Sequence, residues 1–168
     1  MGEGNLLGFA VAAMTSAIKR DNFASIVAQA EREYPFECCG FIIGDATTEE
    51  VRAITNIQDQ KHREDPVMFS RDARTAFLMD PREHLAVMRE IDGRKLELKA
   101  VYHSHPEHDA YFSPTDRAQA CSFDPSEPDY PGTIYIVLSV KGGKFARAAA
   151  FAWDEPHRDF AETALQIV

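Results

Sequence analysis

The feature that most constrains the fold of this 168-residue chain is an apolar segment that ends in two histidines and a proline. Leu96–His103 has the composition of a buried strand, and His105 follows two residues after His103. Side chains two apart on an extended chain point to the same face, so the strand is predicted to direct both imidazoles at one point. Pro106 is predicted to stop the strand and turn the chain away.

A short helix is predicted to return the chain to this point. Ser113-Pro114-Thr115-Asp116 is typical of a helix start, with Ser at the N-cap, Pro at the first helical position and Asp at the third. Taken alone, this tetrapeptide is explained by capping without a metal. The segment 106–112 is long enough to loop back, however, so Asp116 can also supply a ligand. Both interpretations can hold together because a carboxylate has two oxygens.

The residue types in this segment favour a catalytic zinc site. Two neutral imidazoles and a carboxylate suit Zn²⁺, with bonds of about 2.0–2.2 Å, and three protein ligands leave a fourth position open. Hydrolysis also needs a base, for which Glu37 is the candidate because it precedes an apolar strand near Gly40. The Ser113 hydroxyl could stabilise an oxyanion. A histidine pair alone is more often incidental, and an isolated Glu37 would be a solvated residue at a strand edge.

Other titratable residues are given ordinary structural interpretations. Glu107, His108 and Asp109 could be substitute ligands, but a solvated loop is favoured. Three further histidines have no partner pattern and are predicted at the surface: His62, His84 and His157.

The three cysteines, Cys38, Cys39 and Cys121, argue against a disulfide scaffold. Cys39 is predicted to pack as a small hydrophobe, with a Cys-His hydrolase as an open alternative. The chain contains no CxxC, no His-Glu-x-x-His and no P-loop sequence.

The remaining pattern predicts an α+β fold with a mixed β-sheet and helices packed against it, rather than a doubly wound fold. Helices are predicted after Asp21-Asn22 up to Pro35, and from Asp80-Pro81 to Gly93. Strands or strand-like pieces are predicted at 38–44, 51–57, 67–70, 75–78, 133–140, 145–153 and 160–168, with a hairpin turn at Gly142-Gly143. Residues 58–66 and 123–132 are predicted to be loops that flank the cleft and set specificity.

Charge and segment lengths exclude several classes of partner. The formal net charge is −9 without a basic cluster, which argues against nucleic acid and against an anionic membrane surface. Residues 1–14 are predicted to form a weakly ordered extension whose apolar run is too short to span a bilayer. Residues 15–168 are predicted to form one catalytic domain, in a cytoplasmic protein.

The complete set of residues resembles the JAMM (MPN-plus, JAB) metallopeptidase family. The family pattern is a Glu, then His-(Ser/Thr)-His-Pro, then Ser-x-x-Asp after a fixed gap, and this chain has Glu37, His103-Ser104-His105-Pro106 and Ser113–Asp116 at that spacing. The resemblance covers about residues 16–160, including Glu37–Gly44, Asp80-Pro81 and Tyr135–Ser139. It implies a mostly antiparallel, MPN/JAB-like layered domain, similar to cytidine deaminases.

The resemblance also implies a function for each matched residue. His103, His105 and Asp116 would bind zinc, Glu37 would be the acid/base, and Ser113 would stabilise the oxyanion. The compact chain is most similar to small prokaryotic relatives, which implies a ubiquitin-like or sulfur-carrier protein with a Gly-Gly tail as its substrate. A homodimer is a further expectation. The alternatives are a non-catalytic MPN-type docking module and a peptidase that acts on cell-wall or phage-tail peptides.

Overall fold

The computed structural model describes residues 16–168, and there it confirms the predicted α+β fold. The predicted extension at residues 1–14 lies outside the described residues. The helices are α1 (Arg20–Glu33), α2 (Gln58–Glu64), α3 (Pro81–Arg94) and α4 (Pro114–Ala120). The strands are β1 (Ser16–Ile18), β2 (Cys39–Gly44), β3 (Glu49–Ile54), β4 (Glu97–Pro106), β5 (Ile134–Lys141), β6 (Lys144–Asp154), β7 (Asp159–Thr163) and β8 (Leu165–Ile167). Within the described residues, no helix has the length and apolar character needed to cross a membrane.

The central sheet is mixed, as the residue pattern predicted, and mostly antiparallel, as the family resemblance implied. Its strand order is β3-β2-β4-β5-β6-β7, and only the β4–β5 pair is parallel. A parallel pair needs a long crossover connection, and here the crossover contains α4 and the loop that follows it. Strands β1 and β8 form a separate parallel pair.

Both faces of the sheet are covered, so β2 and most of β4 and β5 are buried. One face packs against α3 and α4 through Val87 and Ala120, and the other packs against α1 through Ile26 and Ala30. Successive residues alternate between these two cores. The neighbouring side chains of Cys38 and Cys39 are therefore both buried, on opposite faces.

Gly40 lies where the central sheet leaves no room for a side chain. A Cβ atom on this residue would lie 2.3 Å from the phenol oxygen of Tyr102 and 2.5 Å from the carbonyl oxygen of Arg52. The phenol cannot readily move aside, because it donates a hydrogen bond of 2.5 Å to Oε1 of the buried Gln29. Only glycine at position 40 therefore allows β2 to lie this close to Tyr102 and to the backbone of Arg52.

The prediction of a loop over residues 58–66 is wrong, because Gln58–Glu64 is helix α2. The segment has no apolar stripe, which is why its sequence resembles a loop. It is held instead by polar contacts with the segment that follows. The Gln58 amide donates to the carbonyl of Arg71 at 2.7 Å, and the Asp59 carboxylate accepts from the amide of Ala73 at 2.7 Å.

Several predicted strand boundaries also differ from the structure. Residues 67–70 and 75–78 form turns and irregular chain rather than strands, with one isolated bridge between Asn56 and Met79 nearby. Residues 160–168 are divided between β7, which pairs with β6, and β8, which pairs with β1. Helix α3 continues past Gly93 to Arg94, and Lys95 adopts the left-handed conformation that ends it.

Candidate metal centre

The two predicted histidine ligands lie together at the end of β4. His103 and His105 are 2% and 5% exposed, and their Nε2 atoms are 3.1 Å apart. The strand runs through Pro106, which is paired with Val140. The chain turns one residue later than predicted, at Glu107, whose φ of 64° is left-handed. The alternation of an extended strand thus brings both imidazoles to one point.

Asp116 joins the histidines while it also takes part in a helix cap. Its Oδ1 lies 3.2 Å from Nε2 of His103, and its Oδ2 lies 3.3 Å from Nε2 of His105. Ser113 accepts a 3.0 Å hydrogen bond from the Asp116 amide and donates its own amide to Oδ2 at 2.8 Å. The capping box thus fixes the carboxylate in the position that faces the imidazoles.

The cluster has the electronic character of a cation site. Nδ1 of His105 is 2.9 Å from the carbonyl of Asp109, so it carries the proton and leaves the Nε2 lone pair free. Burial alone would raise the pKa of Asp116, but the imidazoles and the Ser113 amide hold it well below its usual range. In the described residues these three side chains form the one cluster of potential metal ligands, with ligand atoms within 4.8 Å of one another.

Aromatic rings and a buried hydroxyl hold the histidine strand in place. Phe77 stacks on His103 with ring centroids 4.7 Å apart, and Tyr111 meets His105 edge-on at 5.1 Å. The fully buried Ser104 accepts a 2.8 Å hydrogen bond from the amide of Cys38. Ser104 therefore has a structural role, because its hydroxyl joins β4 to the residue that precedes β2.

Glu37 lies just before β2, in the same cleft as the cluster. The cleft has a volume of about 320 Å³, and its lining includes Glu37, His105, Ser113 and Asp116. Glu37 is 5% exposed rather than solvated. Burial raises the pKa of its carboxyl to about 8, with His105 opposing this shift and Asp116 adding to it. A buried carboxyl with a raised pKa is suited to acid/base chemistry near neutral pH.

The polar side chains of residues 107–109 do not join the ligand cluster. Glu107 accepts hydrogen bonds from Tyr34 at 2.6 Å and from the amide of Gly142 at 2.7 Å. Asp109 pairs with Lys141 at 2.7 Å. His108 is exposed and lines the cleft without joining the ligand cluster. The structure thus favours the interpretation of this segment as a loop.

The remaining histidines and cysteines do not form a second centre in the described residues. His157 is exposed as predicted, whereas His62 and His84 are half-buried, so the surface prediction is wrong for these two. Burial raises the pKa of the Cys38 thiol to about 12 and that of Cys39 well above its usual value. Neither thiol lines the cleft, which argues against the Cys-His hydrolase.

Asn56 is a residue of the site that the sequence analysis missed. Its amide donates to the carbonyls of Glu37 at 2.9 Å and Ala76 at 3.2 Å. Its carbonyl accepts from the amides of Gln58 and Leu78, both at 3.0 Å. Asn56 thereby joins the backbone of Glu37 to the wall of the cleft. A lone Asn at the end of a predicted strand gives no signal of this role.

Comparison with known proteins places these residues in a family context. Residues 19–153 match the model of a family described as prokaryotic homologs of the JAB domain. The chain is 29% identical to the desampylase of Haloferax volcanii over 119 residues, which cover 71% of this chain and 70% of the relative. It is 28% identical to the CysO-cysteine peptidase of Mycobacterium tuberculosis over 124 residues, covering 74% and 73%.

Solved structures share the fold at lower identity. A solution structure of a protein from Desulfitobacterium hafniense gives a TM-score of 0.64 at 22% identity, over 90% of this chain and 92% of that chain. A crystal structure of a JAB1/MPN domain protein from Archaeoglobus fulgidus gives a TM-score of 0.51 at 14% identity, over 92% and 99%.

Proposed function

Because the chain belongs to the family of prokaryotic homologs of the JAB domain, we propose that it is a zinc-dependent peptidase or isopeptidase. Its proposed substrate is a ubiquitin-like or sulfur-carrier protein, cleaved at the amide bond after the C-terminal Gly of a Gly-Gly tail. The names of two relatives, a desampylase and a CysO-cysteine peptidase, support this class of substrate.

The observation that carries the proposal is the spacing of the three ligand groups. A tetrahedral ion with bonds of about 2.0–2.1 Å has ligand atoms about 3.3–3.4 Å apart. The Nε2 atoms of His103 and His105 are 3.1 Å apart, and each faces a different oxygen of Asp116, with Oδ1 3.2 Å from His103 and Oδ2 3.3 Å from His105. With one ligand atom from each residue, the three atoms lie within 4.8 Å of one another, so they can converge on one ion, and nitrogen and carboxylate donors suit zinc.

The residues around the cluster supply the other requirements of amide hydrolysis. Zinc, when bound, would polarise the scissile carbonyl and acidify water. Glu37 would accept the proton of the attacking water and return it to the leaving amine. The Ser113 oxygen already accepts the Asp116 amide, so its hydroxyl proton is free to be donated to the developing oxyanion. A docking module would have no use for this combination of groups.

The test combines zinc analysis with turnover of a carrier protein fused through its Gly-Gly terminus. We expect about one zinc per wild-type chain, with both zinc and turnover lost in the double variant His103→Ala, His105→Ala. Glu37→Gln should keep the zinc but lose about 10²- to 10⁴-fold in turnover, because it removes the acid/base group. His157→Ala is the matched control, since His157 is exposed and lies outside the cleft.

Each contrary result would overturn a different part of the proposal. Wild-type protein without zinc would overturn the metallopeptidase and favour the docking module. If the wild type binds zinc but cleaves no Gly-Gly carrier, the proposed metal site would stand and the proposed substrate would be wrong. Full turnover in Glu37→Gln would remove Glu37 from the mechanism.

A further inference from the structure

Ser139 is a buried serine on β5 that the proposed mechanism leaves without a role. It interrupts the apolar run of residues 136–140 and is 1% exposed. Strand β5 pairs in parallel with β4, and Ser139 lies opposite His105 in that register. Partners in register direct their side chains to the same face of the sheet, as Val101 and Tyr135 do. The Ser139 hydroxyl therefore lies on the face that carries the proposed metal ligands.

The Ser139 hydroxyl binds the loop that follows the two histidines. It donates a 2.5 Å hydrogen bond to the backbone carbonyl of His108. Burial of a hydroxyl costs free energy unless the hydroxyl is hydrogen-bonded, and an alanine in this strand would carry no hydroxyl to bury. The presence of a serine here is therefore explained by the carbonyl that it binds, rather than by packing alone.

This hydrogen bond fixes the peptide group that leads to Asp109. The carbonyl of His108 and the amide of Asp109 belong to one planar peptide group, so holding the carbonyl also orients the amide. The residues on either side are held as well. The amide of Glu107 donates to the carbonyl of Val140 at 2.7 Å, and the carboxylate of Asp109 pairs with Lys141 at 2.7 Å. The ion pair is exposed and contributes little, so the buried serine is the main side-chain contact of this loop with β5.

The backbone carbonyl of Asp109 controls which nitrogen of His105 carries the proton. Nδ1 of His105 lies 2.9 Å from this carbonyl. Nε2 faces Oδ2 of Asp116 at 3.3 Å, which is a competing acceptor in the metal-free protein. A neutral imidazole has one N–H group. A carbonyl that stays in place keeps the proton on Nδ1 and leaves the Nε2 lone pair for a metal, whereas a displaced carbonyl allows the proton to move to Nε2.

We propose that Ser139 is a positioning residue for the metal centre. Its hydroxyl holds the carbonyl of His108, and through the loop it keeps the carbonyl of Asp109 against Nδ1 of His105. The inference rests on the proposed function in that His105 binds a metal. The effect on the His105 ring, however, is present in the metal-free protein as well.

Competition for zinc between the full chain and a chelator measures the first consequence. Loss of an outer partner of a metal-bound histidine typically lowers metal affinity by roughly 10–100-fold, and Ser139 acts one step further away, so we expect about tenfold weaker zinc binding in Ser139→Ala. Ser139→Thr keeps a hydroxyl and should bind zinc like the wild type. Ser139→Cys keeps the side-chain size with a weaker donor, so its affinity should lie between those of the wild type and Ser139→Ala.

Thr133→Val is the matched control for a purely structural effect. Thr133 is also buried, directly precedes β5, and donates its hydroxyl to the carbonyl of Leu98 at 3.0 Å. This contact joins β5 to the start of β4, at the opposite end from the histidines. Ser139→Ala and Thr133→Val should both lower the midpoint of urea denaturation, but only Ser139→Ala should weaken zinc binding. Equal losses of zinc affinity in the two variants, or wild-type affinity in Ser139→Ala, would overturn the proposal.

Nitrogen chemical shifts of the His105 ring in metal-free protein provide a second readout. At about pH 9, well above the usual pKa of imidazole, the wild type should carry the ring proton on Nδ1. Ser139→Ala should add a population with the proton on Nε2, and unchanged proton positions in this variant would overturn the proposal. If the wild type bound no zinc, the metallopeptidase would be wrong, and the chemical shifts would still decide the role of Ser139.

Discussion

The hydroxyl of Ser104 accepts a hydrogen bond from the backbone amide of Cys38 at 2.8 Å, and the Ser104 amide donates to the carbonyl of Cys38 at 3.1 Å. Ser104 lies between the two histidines, and Cys38 directly follows Glu37. The strand that carries the metal ligands is thereby tied to the residue next to the proposed acid/base.

Replacement of this hydroxyl should weaken both stability and turnover. Ser104→Ala leaves the buried Cys38 amide without a side-chain acceptor, and we expect a loss of about 1–3 kcal/mol in the free energy of unfolding. Zinc content should remain, because the ligands stay in place, while turnover falls as Glu37 shifts. Urea denaturation and zinc analysis measure these effects. Ser104→Thr retains the hydroxyl, and equal losses in both variants would contradict the role of the hydrogen bond.

Asn56 should be important for activity although it lies far from the metal ligands in the sequence. Asn56→Ala removes four hydrogen bonds that join Glu37, Ala76, Gln58 and Leu78. We expect a loss of about 2–4 kcal/mol in unfolding free energy, because buried backbone groups are left unpaired. Turnover should fall while zinc is retained.

The matched variant Asn56→Asp separates the hydrogen bonds that Asn56 accepts from those that it donates. It keeps the acceptor for Gln58 and Leu78 but cannot donate to Glu37 and Ala76. Its second carboxylate oxygen would face these two carbonyls, so its stability at pH 7 should not exceed that of Asn56→Ala, and its turnover should be equally low. Wild-type turnover in Asn56→Asp would show that the position of Glu37 does not depend on this residue.

The sequence predicts the metal cluster well because each of its parts has a local signal. The alternation of His103 and His105 on a strand and the helix start at Ser113–Asp116 depend only on neighbouring residues. The apolar patterns of β2, β4 and β5 similarly predict a buried sheet.

The walls of the cleft could not be predicted in the same way, because their contacts are remote in sequence. Helix α2 has no apolar periodicity, and polar contacts such as Gln58 with Arg71 hold it in place. The parallel pairing of β4 with β5 depends on a crossover that no local pattern specifies.

A matched pair of glycine variants tests the packing of the sheet. Gly40→Ala places a Cβ atom against Tyr102 and the backbone of Arg52, so we expect a loss of at least about 2 kcal/mol in unfolding free energy. Gly93 lies in α3 with no atom within 4 Å of an added Cβ. Gly93→Ala should therefore stabilise the protein by about 0.5 kcal/mol through a less flexible unfolded chain. Urea denaturation midpoints of both variants provide the measurement, and a neutral Gly40→Ala would contradict the close approach.

Ion pairs between β3 and α3 should make stability depend on pH in the acid range. Arg52 holds Glu90 through two hydrogen bonds of 2.9 and 2.6 Å, and Arg94 holds Glu50 at 2.5 Å. Hydrogen bonds from Arg94 and Arg52 lower the pKa of Glu50 from 4.5 to about 2, and those from Arg52 and Arg94 do the same for Glu90. Carboxyls with a lowered folded pKa stabilise the protein above about pH 4.5, and this contribution is lost as the pH falls toward 2.

The difference in unfolding free energy between Glu90→Gln and wild type should therefore change with pH. We expect the variant to be less stable than wild type at pH 7 and this difference to shrink by pH 3. At pH 3 Glu90 is largely protonated in the unfolded chain and partly protonated in the folded protein. Added salt should also reduce the difference, because these side chains are partly exposed and their charges are screened. Glu97→Gln is the control, since Glu97 is exposed and forms no ion pair within residues 16–168. A Glu90→Gln difference that is constant from pH 7 to pH 3 would show that packing of the side chain, rather than its charge, joins α3 to β3.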